Sequence, residues 1–176
     1  MGSASNIVNC KMDKYSYIGS YCTVVDTNLG AFCSIADNVI IGGASHSLNW
    51  VSTSPVFSSG RNILKKNFSN FSFIATQNTI IKNDVWIGSN SLIKGGIVIE
   101  SGAVIGMGSV VTKNIGAYEI WAGNPAKIIR SRFDKETINS LLKSEWWKIN
   151  DENLNKHARN IKDINYFLKM IEIEKE

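Results

Sequence analysis

Residues 81–116 read IKNDVW-IGSNSL-IKGGIV-IESGAV-IGMGSV-VTKNIG. An aliphatic residue opens every hexad: Ile81, Ile87, Ile93, Ile99, Ile105 and Val111, in register and without insertion. Four positions after the first five stands a smaller or β-branched side chain: Val85, Ser91, Ile97, Ala103 and Ser109. Glycine directly follows Ile87 and Ile105. A period of six fits neither an amphipathic helix nor an alternating strand. It fits a chain that turns a corner every six residues, with one aliphatic side chain pointing inward on each short strand. Three such sides close a triangular coil, and successive coils stack at about 4.8 Å with every strand parallel. One coil cannot bury its own face, so stacking supplies the core.

Working outward, an earlier array shows the same pattern: Ile18-Gly19, Leu29-Gly30, Ile35-Ala36 and Ile41-Gly42. The step from Ile18 to Leu29 is eleven residues, one short of two hexads. Residues 43–72 break the repeat with Gly43, Gly60, many serines, Pro55 and the basic Arg61, Lys65 and Lys66; long ordered loops in compact domains are usually functional. Residues 117–133 leave the repeat through the turn-rich Trp121-Ala122-Gly123-Asn124-Pro125. The period then changes. Ile138, Leu141, Leu142 and Ile149 share one face with Trp146 nearby, and Asp134 reads as an N-cap. Leu154, His157, Ile161, Ile164, Leu168 and Ile171 alternate spacings of three and four, which predicts one amphipathic helix over 151–174. The expected organisation is an all-β repeat, a parallel β-helix of hexapeptide repeats, over residues 1–133 with an inserted loop at about 43–72. A C-terminal α-helical extension follows over 134–176.

A chain of 176 residues that is 44% hydrophobic and 19% charged can bury a sizeable core without disulfides or metal. A net charge of +4 favours anionic ligands weakly and is not the signature of a nucleic-acid binder. The cysteines, Cys10, Cys22 and Cys33, are odd in number and lack any Cys-x-x-Cys, which argues against a disulfide framework or thiolate metal site. No apolar run approaches the roughly 18 residues of a membrane span. No basic-then-apolar start is visible, and Asn6 stands where a myristoylation signal wants Ser or Thr. A cytoplasmic protein without a membrane span is expected.

Only two histidines are present, His46 and His157. His157 lies on the apolar stripe and reads as a packing or surface histidine. His46 lies in the polar, glycine-rich Gly42-Gly43-Ala44-Ser45-His46-Ser47-Leu48-Asn49-Trp50, projecting from a rigid scaffold, where catalytic residues concentrate. Its setting alone leaves a catalytic base and an idle loop histidine both open. Two histidines cannot supply a three-histidine zinc site, and no Asp/Glu/His cluster of ligand spacing is seen, so no metal is expected. Ser45, Ser47, Ser52 and Ser54 lack a G-x-S-x-G elbow, against a serine nucleophile. Lys113, Lys127, Arg130 and Arg132 gather late, beside a Gly-Asn-Pro turn, as a group able to meet phosphates.

Residues 81–133, with Asp84-Val85-Trp86-Ile87-Gly88, Gly106-Met107-Gly108-Ser109-Val110-Val111-Thr112-Lys113 and Ala122-Gly123-Asn124-Pro125-Ala126-Lys127-Ile128-Ile129-Arg130, resemble the hexapeptide-repeat acyltransferases. His46-Ser47-Leu48-Asn49-Trp50-Val51-Ser52-Thr53-Ser54-Pro55-Val56-Phe57, Arg132-Phe133-Asp134 and Glu145-Trp146-Trp147 resemble the xenobiotic acetyltransferase branch, which includes chloramphenicol and streptogramin acetyltransferases. The likeness covers nearly the whole chain from about Tyr15. It implies a left-handed β-helix, a homotrimer with active sites between subunits, acetyl-CoA as acetyl donor, and His46 as the base. It further implies Ser89 and Met107 at the pantetheine arm, largely through backbone groups. Thr112 and Lys113 would lie near the adenosine end, and Lys127 and Arg130 near its phosphates; Trp86 and Gly123 are further candidates for the cleft. Tyr17 and Trp50, with Tyr15 and Tyr21, form a candidate aromatic wall for the acceptor.

The expected function is acetyl-CoA-dependent O-acetylation of a hydroxyl on a sugar or polysaccharide precursor or an antibiotic. An N-acetyltransferase acting on an amino-sugar and a non-catalytic β-helix scaffold are the alternatives. The first usually carries an extra nucleotide-binding domain. The second gives no reason for a His46 loop beside a cofactor cleft.

Overall fold

A computed structural model describes residues 1–173. Thirteen strands build the structure: β1 (Asn6–Met12), β2 (Tyr17–Ile18), β3 (Thr23–Leu29), β4 (Ser34–Ile35), β5 (Ile40–Ile41), β6 (Thr79–Ile81), β7 (Trp86–Ile87), β8 (Leu92–Ile93), β9 (Val98–Ile99), β10 (Val104–Ile105), β11 (Val110–Val111), β12 (Glu119–Gly123) and β13 (Ala126–Ser131). All pairings are parallel except that of β12 with β13. The result is a three-sided parallel β-helix.

Each side is one column of inward side chains in register. Ile18, Ile35, Ile87 and Ile105 form the first side. Val24, Ile41, Ile93 and Val111 form the second. Leu29, Ile81, Ile99 and Ile115 form the third. All are buried. Val24 supplies the inward residue that the eleven-residue step concealed, and the single missing residue falls between Val24 and Leu29. One more coil precedes Tyr15, because Ile7 pairs with Val24 and Met12 with Leu29.

Two of the cysteines take the small-residue position that serine and alanine hold in later coils. The buried Cys22 and Cys33 thiols donate to the Ala36 and Lys82 carbonyls of the next coil, at 3.1 and 2.9 Å. Ser91 makes the same inter-coil bond to Gly106 at 3.2 Å. Burial pushes the Cys33 thiol pKa up, as expected for a packing residue rather than a nucleophile.

The corners are left-handed. Tyr15, Phe32, Asp84, Gly102 and Tyr118 stack at the corner before the first side, each with positive φ. Tyr21, Asn38, Asn90 and Gly108 do the same at the corner after it. Positive φ is disfavoured for bulky side chains, yet each amide here other than that of Tyr15 donates to a carbonyl one coil away. Phe32 reaches Lys14 at 3.0 Å, Asp84 reaches Ala31 at 2.9 Å, and Tyr118 reaches Ser101 at 2.9 Å.

The C-terminal segment docks on the first of these corners. Arg132 pairs with Asp84 at 3.0 Å, donates to the Gly102 carbonyl at 2.8 Å, and lies 5.2 Å from the ring centroids of both Tyr118 and Phe133. Burial pushes the Asp84 carboxyl pKa up, and Arg132 opposes that shift. Arg132, grouped by sequence with the phosphate-binding cations, is therefore a clamp between coil and extension. Beyond it lie α1 (Lys135–Ser144), α2 (Asp151–His157) and α3 (Ile164–Ile173). Trp146 stacks on Phe32 at 4.8 Å, and Trp147 is buried.

The single helix expected over 151–174 is broken. A 3-10 turn, Ala158–Asn160, follows α2, Ile161 is exposed, and Asp163 accepts from the Tyr166 amide at 3.0 Å to start a new helix. Residue 174 lies outside the described residues. His157 is buried, in keeping with packing.

Ile87→Ala would open a cavity at the centre of the first side. Unfolding free energy should fall by about 2–5 kcal/mol in chemical denaturation; a loss within about 0.5 kcal/mol would show that the inward column does not carry the core. A second expectation concerns α1. Its N-cap, Asp134, is held below the usual carboxylate range by the Thr137 amide and hydroxyl, at 2.8 and 3.0 Å. A depressed carboxyl pKa adds stability above the unfolded-state value, and that stability is lost as pH falls through the folded-state value. Acidification below about pH 4 should therefore fray α1. Asp134→Asn, which caps without ionising, should flatten that response in helical circular dichroism. Equal acid sensitivity in the two proteins would count against the cap.

Candidate active site

The His46 loop is an expanded corner. Forty positions separate Ile41 on the second side from Ile81 on the third, where the next coil uses six, from Ile93 to Ile99. The interruption, expected over 43–72, runs from the end of β5 to the start of β6. Gly42 begins it at φ +86°, and a Cβ there would fall 2.1 Å from the Val25 carbonyl oxygen, so glycine alone lets the chain leave. The far end returns through Thr79, buried, whose hydroxyl accepts from the Gly96 amide at 3.1 Å.

The loop holds itself together. The Ser45 amide and hydroxyl both donate to the Ala75 carbonyl, at 2.7 and 3.0 Å. Asn62 donates to the Lys66 and Pro55 carbonyls at 3.0 and 3.3 Å, and Asn67 donates to Gly60 at 3.1 Å. Trp50 packs edge-on against Phe71 and Phe73, 5.9 Å from each.

Within this frame His46 Nδ1 lies 2.8 Å from the Thr53 carbonyl oxygen. A carbonyl only accepts, so Nδ1 carries the hydrogen and the neutral ring keeps its lone pair on Nε2. The imidazole lines a pocket of about 340 Å³ with Trp50, Ser58, Arg61, Ile63 and Phe73. An apolar pocket of about 580 Å³, between Trp50, Val51, Phe57 and Phe71, adjoins it through Trp50.

The donor-binding candidates fall into two groups. Ser89 and Met107 sit on successive coils of one corner, where the Gly108 amide donates to the Ser89 carbonyl at 2.8 Å. That backbone acceptor of Ser89 is thus engaged within the coil stack. Gly88 permits the close approach, since a Cβ there would lie 2.6 Å from the Met107 nitrogen. Met107 itself is 80% exposed. Lys127 joins this corner by pairing with Ala122, which covers Gly106. Arg130 pairs with Ile120 farther along β13, and its guanidinium donates to the Ser131 carbonyl at 3.0 Å. Thr112 and Lys113 follow β11 at the next corner, the one from which the His46 loop departs.

Within one chain, therefore, the His46 loop and the Ser89–Met107 corner stand on opposite edges of the second side. Its outward residues Ile40 and Leu92 are exposed and apolar. Trp50 shares the His46 pocket, but Tyr17 does not; it stands on the first side, in register with Ser34 and Trp86. Tyr15 is drawn away altogether. It packs on Phe32 at 5.1 Å, and its hydroxyl donates to Asp151, which pushes the phenol pKa up. Among the described residues no group of three or more His, Cys, Asp or Glu side chains could hold a metal.

Residues 78–113 match the family of bacterial transferase hexapeptides (six repeats). The chain is 42% identical over 122 residues to a chloramphenicol acetyltransferase of Agrobacterium fabrum (strain C58 / ATCC 33970), a match that covers 68% of the chain and 58% of that relative. It is 38% identical over 167 residues to a chloramphenicol acetyltransferase of Klebsiella aerogenes, across 79% of the chain and 75% of the relative. A galactoside acetyltransferase solved in complex with coenzyme A superposes with a TM-score of 0.62 at 25% identity, covering 77% of the chain and 63% of that structure.

The Thr53 contact has a spectroscopic consequence. In the neutral protein, His46 should show the Nδ1–H tautomer in nitrogen-15 NMR, with an unprotonated Nε2. A predominant Nε2–H tautomer would mean that Thr53 does not orient the ring.

Proposed function

Because the chain belongs to the hexapeptide-repeat acetyltransferases, on the branch of the chloramphenicol acetyltransferases, we propose that it moves an acetyl group from acetyl-CoA to an acceptor hydroxyl with His46 as general base. The observation that carries this reading is the 2.8 Å contact between His46 Nδ1 and the Thr53 carbonyl, which leaves Nε2 free to accept a proton. Acetyl-CoA supplies a thioester with a good leaving group, a thiol of pKa about 8.5. His46 Nε2 takes the proton of the acceptor hydroxyl as the oxygen bonds to the acetyl carbon. The carbon–sulfur bond breaks, and the imidazolium returns the proton to the departing thiolate. Thr53 keeps its hydrogen bond to Nδ1–H throughout and stabilises the transient cation. General base catalysis of this kind contributes roughly 10²–10⁴-fold, and positioning of the two substrates supplies much of the rest.

The Ser89–Met107 corner and Lys127 would hold the donor, with Thr112, Lys113 and Arg130 toward its nucleotide end. The acceptor would be a hydroxyl on a sugar of a polysaccharide precursor or on an antibiotic, packed against Trp50. The assembly would be a homotrimer in which the loop of one subunit faces the donor corner of the next. Large exposed apolar patches mark interaction surfaces, and this loop exposes Leu48, Val51, Ile63 and Ile74 almost fully while Ile40 and Leu92 line the adjoining side.

Coenzyme A release from acetyl-CoA, followed against sugars, glycan fragments, chloramphenicol and a streptogramin, tests the reading. His46→Ala should lose at least about a hundredfold of the acceptor-dependent rate with acetyl-CoA binding retained. Turnover of the variant at the wild-type rate would remove His46 from the mechanism.

A further inference from the structure

The His46 pocket is lined by a cation that nothing among the described residues neutralises. Arg61 lines the same 340 Å³ cavity as the imidazole, and among the described residues it has no hydrogen-bond or ion-pair partner. No carboxylate lines the cavity. The depletion extends to the whole loop: residues 42–78 contain no Asp or Glu, although the chain has 15, and they carry Arg61, Lys65 and Lys66.

A solvated arginine is unremarkable on a surface. This one lines a concave site with the Ser59 hydroxyl beside it and the aromatic Trp50 and Phe73 within the same lining, while the Ser58 hydroxyl and the Asn62 amide are engaged by the Pro55 and Lys66 carbonyls. Positive charge in a cleft with no opposing charge raises the local concentration of anions. Guanidinium is well suited to carboxylate and phosphate through paired hydrogen bonds. The volume matches the small end of ligand pockets and leaves room for one sugar ring against the aromatic faces.

The geometry points to an acceptor that carries an anionic group, a carboxylate or a phosphate on a sugar, read by Arg61 while a hydroxyl of the same molecule faces His46. This rests on the acetyl-transfer reading for the identity of the site. Arg61 is then a specificity-determining residue, and a neutral acceptor of the same shape is the one discriminated against.

Binding can be followed without knowing the natural acceptor, because the chain has only two histidines. The His46 imidazole signal, assigned with His46→Asn, reports on the pocket, and His157 reports on the fold. Glucose, glucuronate, glucose 1-phosphate and coenzyme A are titrated into the full chain and into Arg61→Gln and Arg61→Lys. Glucuronate or glucose 1-phosphate should shift the His46 signal at concentrations where glucose does not, and comparison of the two separates carboxylate from phosphate recognition. Arg61→Gln should weaken that response roughly ten- to hundredfold, the range for hydrogen bonds to charged groups, and Arg61→Lys should retain part of it.

Equal responses to glucose and both anions would overturn the inference. So would anion binding that survives Arg61→Gln, or an Arg61→Gln defect confined to coenzyme A, which would assign the cation to the donor. Parallel assays of coenzyme A release keep the two readings apart. Arg61-dependent anion binding without any acetyl transfer would sink the acetyltransferase reading alone, and transfer that is indifferent to acceptor charge would sink this one alone.

Discussion

From Tyr21 and Phe32 onward, the amides stacked at the first two corners donate to carbonyls one coil away, and this bond governs the rest of the architecture. It offsets the left-handed conformation of residues as bulky as Tyr21, Phe32 and Tyr118. It also ties the inward register of one coil to that of its neighbours, since a corner displaced by one residue would turn the next aliphatic side chain outward. A coil with one residue fewer, as between Val24 and Leu29, is accommodated by tightening a corner rather than by shifting a strand. The buried thiols and hydroxyls of Cys22, Cys33 and Ser91 add rungs of the same kind from the side chains.

Both parts of the proposed site are built on corners. The first carries the C-terminal segment, held by Arg132 on Asp84 and by Trp146 on Phe32. The second carries Ser89 and Met107 on successive coils. The third opens into the loop that bears His46. The proposed chemistry thus falls where the backbone leaves the sheet, and the second side is left with the exposed apolar Ile40 and Leu92, suited to covering by another surface.

Much of this architecture was legible in the residues. From Ile81 to Val111 the hexads mark the inward column without ambiguity, and Gly42-Gly43 before His46 marks the departure of the loop. The first coils were harder to read because Ile7, Met12 and Val24 are separated by steps that include five, and a search at six passes over them. The break at Ala158–Asn160 left no trace in the periodicity, since the apolar spacing of a helix continues across a turn of similar pitch. Arg132 looked like a phosphate ligand because its composition is that of its neighbours Lys127 and Arg130, and only the coil stack brings Asp84 to it. The orienting group of His46 could not have been found from residue type at all. It is the backbone carbonyl of Thr53, and every residue has one.

The loop enters and leaves the β-helix at a single corner, through Gly42 and Thr79, with the ladder continuous on both sides. Doubling the length of such an excursion adds only about 0.6 kcal/mol to the entropy of closing it. On the proposed mechanism, acceptor preference is therefore free to diversify by insertion, deletion and recombination within one segment, while selection on the coils answers to folding and donor recognition. The two halves of the proposed reaction would then evolve on separate genetic tracks, joined at one glycine and one threonine.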